Sequence, residues 1–333
     1  MFETDFGSGI ANKLFLSLSD QKVLFVTQEN LFLKYSAIIP KEFLVQCIEN
    51  VEESYLINLN LSIESVDDVV GFGGGMSIDA AKYIAWKREL PCYLVPTAIS
   101  VDACYSYPIA LRKNSVVCYE GEVIPKNICV DYDIIRTAPK MLNLSGVGDV
   151  LSCYTALFDW NLMSNAGKGI KVVESLYNHA SEILDEIFLN AYEIAEMSDK
   201  GIQIIMNGYA WVGVEGYNNR FCHFEEGSEH YLAYTVESIC GKHLLHGQLV
   251  CLCAYIMSKL QNEGRQIKVK EFTDKIGLSI SPSDVGLTLE EIEAALKRVN
   301  AFAKENNLSY SVLNEKQVTE EFIVEVIKEL KAF

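Results

Sequence analysis

The feature that most constrains this chain's fold is a change of texture near residue 143. Before it, short apolar runs of β type (Val23-Leu24-Phe25-Val26, Tyr55-Leu56-Ile57, Val69-Val70-Gly71-Phe72 and Cys92-Tyr93-Leu94-Val95) alternate with stretches of helical spacing such as Glu42 to Val51. Continuous apolar runs suit strands buried on both faces, and their alternation with helices implies parallel strands joined by crossovers. Residues 104–130, punctuated by Pro108, Asn114, Gly121 and Pro125, read as a hairpin and loop that return to a strand at Ile128-Cys129-Val130. After Ser145, helical patterns dominate, over roughly 147–164, 168–196, 200–213, 228–240, 247–261, 289–305 and 318–331. The expectation is an α/β domain with a parallel sheet over 1–143, followed by an all-α domain over 144–333.

Composition narrows the partners. The 28 Lys and Arg against 45 Asp and Glu leave a formal charge of −17, which repels nucleic acid and anionic lipid. Neither is an expected partner, and an anionic substrate must be held by local donors. The chain shows no apolar run of membrane-spanning length and no basic region leading into an apolar one at its start, so neither a membrane span nor a secretory signal is expected. Ten irregularly spaced cysteines, most within apolar runs, fit free thiols in a reducing cytoplasm better than a disulfide framework.

Two local patterns carry chemistry. The run Gly71-Phe72-Gly73-Gly74-Gly75-Met76-Ser77-Ile78-Asp79 joins a strand to a helical stretch beginning Ala80-Ala81-Lys82. Consecutive glycines there let the backbone approach a bulky anion, and the helix start offers unpaired N–H groups to a pyrophosphate. The third glycine of the usual dinucleotide fingerprint would fall at Met76, so the spacing is not that of the fingerprint. Asn58, Leu59 and Asn60 follow the second apolar run without an acidic residue, which leaves NAD and NADP both open. In the helical half, Asp149 follows Gly146-Val147-Gly148, His230 follows Gly227-Ser228-Glu229, and His246 precedes Gly247. One carboxylate and two imidazoles make a divalent-metal set with room for substrate, suiting Zn²⁺, Ni²⁺ or Fe²⁺. His243, three residues before His246, is a competing ligand.

Taken together, GxGGGxxIDxAK at 71–82, VPTxxSxD at 95–102, SGxGDxLSxYTAxxDW at 145–160 and GSEH…HG at 227–247 resemble glycerol-1-phosphate dehydrogenase. That family lies in the superfamily of dehydroquinate synthase and the iron-containing alcohol dehydrogenases, and the likeness spans about residues 69–260. It implies a dehydroquinate synthase-like fold, with Gly73, Gly74, Gly75, Met76, Ser77, Ile78 and Asp79 along the dinucleotide and Thr97, Ser100 and Ser106 contacting it further on. It implies that Asp102 holds a substrate hydroxyl, and that Asp149, His230 and His246 bind one catalytic metal, Zn²⁺ ahead of Ni²⁺ or Fe²⁺, with Asp149 also near substrate. Two positions depart from the family: Tyr234 stands where a substrate-contacting histidine is usual, and Ala103 replaces a glycine, followed by Cys104-Tyr105. Backbone N–H groups, or a basic side chain such as Lys113 or Arg112, would take the substrate phosphate. The implied activity is the NAD- or NADP-linked reduction of dihydroxyacetone phosphate, or a similar small phosphorylated ketone, by a cytoplasmic homo-oligomer serving phospholipid biosynthesis. The alternatives are a glycerol or polyol dehydrogenase of the iron-containing type and a dehydroquinate synthase-like cyclase.

Overall fold

Among the described residues eight strands run through the first part of the chain: β1 (Thr4–Gly7), β2 (Val23–Thr27), β3 (Leu44–Cys47), β4 (Asp68–Gly73), β5 (Cys92–Pro96), β6 (Pro108–Lys113), β7 (Val116–Glu122) and β8 (Asn127–Asp131). In this computed structural model, which describes residues 2–113, 116–242 and 244–333, six of them form one sheet in the order β1-β8-β5-β4-β2-β3. Every pairing in that sheet is parallel, with Leu24 opposite Val69 and Val70 opposite Tyr93 at its centre. All residues of β2, β4, β5 and β8 are buried, the state that continuous apolar runs require. β6 and β7 pair antiparallel as a separate hairpin, as the turn residues of 104–130 led one to expect. One layer beside the sheet is aromatic: Phe15, Phe25, Phe43 and Phe72 interlock, with Phe15 and Phe25 edge to face at 5.3 Å.

Two expectations fail locally. Tyr55-Leu56-Ile57 belongs to the helix Glu53–Ser62, where Leu56 and Leu59 are buried and Ile57 and Leu61 exposed. A short apolar run such as Tyr55-Leu56-Ile57 fits a strand as well as a helix segment, and the buried pair Leu56 and Leu59 is spaced for one helical face. Asn58 and Asn60 therefore close no strand, and the ribose argument built on them lapses. Conversely, Glu42 to Val51 contains β3, which pairs with β2 as a short edge strand. The sheet also opens with β1 (Thr4–Gly7), a strand too short and too polar to stand out as an apolar run.

The chain separates into two compact units, Met1–Asn143 with Tyr209–Tyr217, and Leu144–Gly208 with Asn218–Phe333. The second is helical throughout its described residues, with Cys153–Ala166, Glu174–Leu189, Ser228–Cys240, His246–Gln261, Arg265–Ile276, Leu289–Glu305 and Glu320–Leu330 among its longer members. His246–Gln261 is its axis, buried from Gly247 to Gln261. Such a helix is largely apolar because it meets neighbours on every side, and its buried Lys259 is paired with Glu263 and Glu329. Among the described residues no helix is long and apolar enough to cross a membrane.

Candidate functional site

In the first unit, β4 ends at Gly73 with φ at +155°, a conformation that L side chains rarely adopt. A Cβ there would lie 2.4 Å from Ser77 Oγ, so the turn into the helix Gly75–Arg88 requires glycine. Gly74, at the N-cap, has no side-chain cap, and a Cβ built on it meets nothing within 4 Å. The first intrahelical bond is donated by Ile78 N to Gly74 O, so the preceding N–H groups look out over that open approach. This is a cradle of the shape and polarity that a pyrophosphate needs. Thr97 is drawn beside it by its N–H, which donates to Gly73 O at 3.0 Å.

The remaining expected contacts divide. Met76 is half-buried on the first turn, whereas Ser77, Ile78 and Ser100 are buried. Asp79 turns away: its Oδ1 accepts from Lys82 Nζ at 3.1 Å and from Ala110 N at 3.2 Å. Lys82 is fully buried and also donates to Ala103 O and Pro108 O, at 3.1 and 2.8 Å. The Asp79–Lys82 pair thus braces the turn that carries Asp102 and Ser106. In that turn the carbonyl of Asp102 accepts from Tyr105 N and Ser106 N. Tyr209 and Gly213, which the sequence did not single out, press on the same segment: Tyr209 Oη donates to Ile99 O at 3.0 Å, and a Cβ on Gly213 would meet Tyr105 O at 2.2 Å. Lys113 is engaged by Glu53 and Glu120 at 2.9 and 3.1 Å, and so is committed to carboxylates rather than held for a phosphate.

In the second unit, Asp149, His230 and His246 come together although 81 and 97 residues separate the imidazoles from the carboxylate, counting 230 − 149 and 246 − 149. One ligand atom from each lies within 4.8 Å of the others, a separation that small side-chain rotations bring to the span set by metal–ligand bonds of about 2 Å. Each sits near a helix start, in Val147–Leu151, Ser228–Cys240 and His246–Gln261. The starts can meet because Gly148 and Gly247 touch through their backbones: a Cβ on Gly148 would lie 2.2 Å from Gly247 O.

Both imidazoles are backed by carboxylates. His230 Nδ1–H donates to Glu229 Oε1 at 2.9 Å, which leaves Nε2 as the free ligand atom. His246 has Nδ1 3.7 Å from Glu237 Oε1 and Nε2 3.8 Å from Asp149 Oδ1. Burial disfavours the His230 imidazolium, but the bond to Glu229 and the charges of Glu225 and Glu226 prevail and push its pKa up to about 10. A field that holds a proton there also suits a divalent cation. Two nitrogens and one oxygen, with carboxylates behind the nitrogens, fit a three-ligand catalytic metal site with a coordination position left for substrate. Among the described residues this is the one group of three such side chains that could hold an ion. Tyr234 stands one turn beyond His230, their rings 5.9 Å apart, and its hydroxyl donates to Glu226 Oε1 at 3.0 Å. His243 lies outside the described residues.

Comparison with known proteins identifies what the chain is similar to. A family model described as iron-containing alcohol dehydrogenase matches residues 17–139. Among curated proteins, the glycerol-1-phosphate dehydrogenase [NAD(P)+] of Staphylothermus marinus is 31% identical over 260 residues, 78% of this chain and 72% of that one. Its counterpart in Thermoplasma acidophilum is 28% identical over the same shares of each chain. Among solved structures, a probable glycerol dehydrogenase from Sinorhizobium meliloti has the same fold, with a TM-score of 0.72 at 22% identity over 99% of this chain and 96% of that one. The glycerol dehydrogenase of Schizosaccharomyces pombe matches at a TM-score of 0.73 and 18% identity, over 100% and 90%. At 31% and 30% identity to relatives named glycerol-1-phosphate dehydrogenase, covered to 72% and 70% of their length, the chain belongs to the glycerol-1-phosphate dehydrogenase family.

Proposed function

We propose that this protein reduces dihydroxyacetone phosphate, or a similar small phosphorylated ketone, to the secondary alcohol. When bound, NADH or NADPH supplies the hydride and one divalent ion, Zn²⁺ ahead of Ni²⁺ or Fe²⁺, polarises the carbonyl. The observation that carries the reading is the meeting of Asp149, His230 and His246 with carboxylates behind both imidazoles. Those three residues would hold the ion; Glu229 fixes which ring nitrogen of His230 faces it, and Glu237 stands 3.7 Å behind His246 Nδ1. The turn Gly73–Ser77 receives the pyrophosphate on its exposed N–H groups, with Thr97, Ser100 and Ser106 along the same ligand. Asp102, on the turn braced by Lys82, orients a substrate hydroxyl, and Tyr234 lines the pocket wall beside His230 through its bond to Glu226.

The relatives support the substrate class by their names, and this reading extends to a homo-oligomer in a reducing cytoplasm. All ten cysteines are free thiols, which fits that compartment. His246→Ala tests the metal assignment. It should abolish stoichiometric metal binding and turnover while circular dichroism stays that of the parent. Full metal content in both His246→Ala and His230→Ala would place the ion elsewhere.

A further inference from the structure

The helix that carries His230 begins without a cap of its own. Gly227 occupies the N-cap and makes no side-chain cap bond, although the helix start is buried and its N–H groups need acceptors. The acceptor comes from far away in the chain. Asp159, on the helix Cys153–Ala166 and 2% exposed, accepts from Ser228 N through Oδ2 at 2.8 Å. Its Oδ1 accepts from Val312 N, also at 2.8 Å, at the start of the helix Val312–Glu315. One buried carboxylate therefore caps two helix starts, with the charge sign that a helix N-terminus favours.

Gly227 is needed for this arrangement. A Cβ at 227 would lie 2.8 Å from Ala156 Cα and 2.9 Å from Asp159 Oδ2, so a local serine, threonine or aspartate cap is excluded by close approach to the Cys153–Ala166 helix. The N–H of Gly227 donates to Glu229 Oε1 at 2.7 Å, the same oxygen that receives His230 Nδ1–H. The chain from Asp159 to the imidazole is thus continuous: carboxylate, Ser228 N–H, the Gly227–Glu229 turn, His230. The helix bearing Asp159 directly follows the segment Val147–Leu151 that carries Asp149.

We propose that Asp159 is a positioning residue of the metal centre, fixing the start of the His230 helix against the helix that follows Asp149. This rests on the reading of Asp149, His230 and His246 as the metal ligands. Its rival is a cap that serves stability alone. The two part on what happens when Asp159→Asn turns an amide N–H₂ toward one of the two backbone donors.

The test titrates the metal-free full chain with Co²⁺ in three forms: parent, Asp159→Asn, and Thr319→Ala, which removes the cap of the helix Glu320–Leu330 at Phe322 N. Both variants should melt below the parent. Only Asp159→Asn should weaken Co²⁺ binding, by about tenfold or more, the scale seen when a group orienting a ligand is lost, and only it should alter the ligand-field spectrum. Parent affinity and spectrum in a folded Asp159→Asn overturn the proposal while leaving the metal assignment standing. A parent chain that takes up no Co²⁺ overturns both. If Asp159→Asn does not fold, hydrogen exchange on the parent decides. The amides of Ser228 and Val312 should be protected in the metal-free chain and gain protection with Co²⁺, and a freely exchanging Ser228 amide in the folded chain overturns the proposal.

Discussion

At the scale of single residues, Gly74 separates binding from folding with unusual clarity. Its φ of −82° suits any residue, and a Cβ there meets nothing within 4 Å. Gly74→Val should therefore leave thermal stability close to the parent's, yet fill the approach to the helix N–H groups. Dinucleotide affinity should fall by about 2 kcal/mol or more, the scale of a lost charge-assisted contact. Titration with NADH and NADPH checks this, and parent affinity would remove the pyrophosphate from the turn. Tyr234 poses a different question, because its hydroxyl already donates to Glu226. If that hydroxyl helps orient substrate, Tyr234→Phe should lower kcat/KM about tenfold, equal to one hydrogen bond of about 1.4 kcal/mol, with metal content unchanged. Unchanged kcat/KM would leave the ring as packing against His230 and no more.

At the scale of elements, the site is a meeting of helix starts made possible by missing side chains. Gly148→Ala would drive a methyl group into the backbone of Gly247, which cannot move away as a flexible side chain could. The helices bearing Asp149 and His246 must separate, so the variant should lose about 3 kcal/mol of stability or more together with stoichiometric metal. Denaturant melts alongside metal analysis check both, and a stable, fully loaded Gly148→Ala would show that the contact is slack. Much of this was legible in sequence. The apolar runs of β2, β4, β5 and β8 announced buried parallel strands, and SGxGD, GSEH and HG marked the helix starts that bring Asp149, His230 and His246 together. What sequence did not disclose depends on partners distant along the chain. The helix around Leu56 and Leu59 passed for a strand because Tyr55-Leu56-Ile57 is a short apolar run, which fits a strand as well as a helix segment, and β3 is a strand only because β2 lies beside it. Asp79 looked like part of the glycine turn until its carboxylate was found on Lys82. Glu237 had no signal tying it to His246, since the pair forms only when one helix end meets the next helix start.

At the scale of the whole molecule, an acidic chain with net charge −17 is read as handling a phosphorylated substrate, so its anion sites must be local and built from backbone donors. On the proposed reading the glycine turn would meet that requirement for the dinucleotide, and the carboxylate-backed imidazoles would meet the complementary one for a cation. A dehydroquinate synthase-like cyclase, the alternative reading, would return its nicotinamide unchanged, whereas a dehydrogenase consumes it. The most direct measurement is therefore nicotinamide absorbance during incubation of the full chain with dihydroxyacetone phosphate, dihydroxyacetone and other ketones, each with NADH and with NADPH. Net oxidation with dihydroxyacetone phosphate, abolished by chelation and restored by Zn²⁺, is the predicted result. No net oxidation with any ketone in protein shown to carry its metal would contradict it.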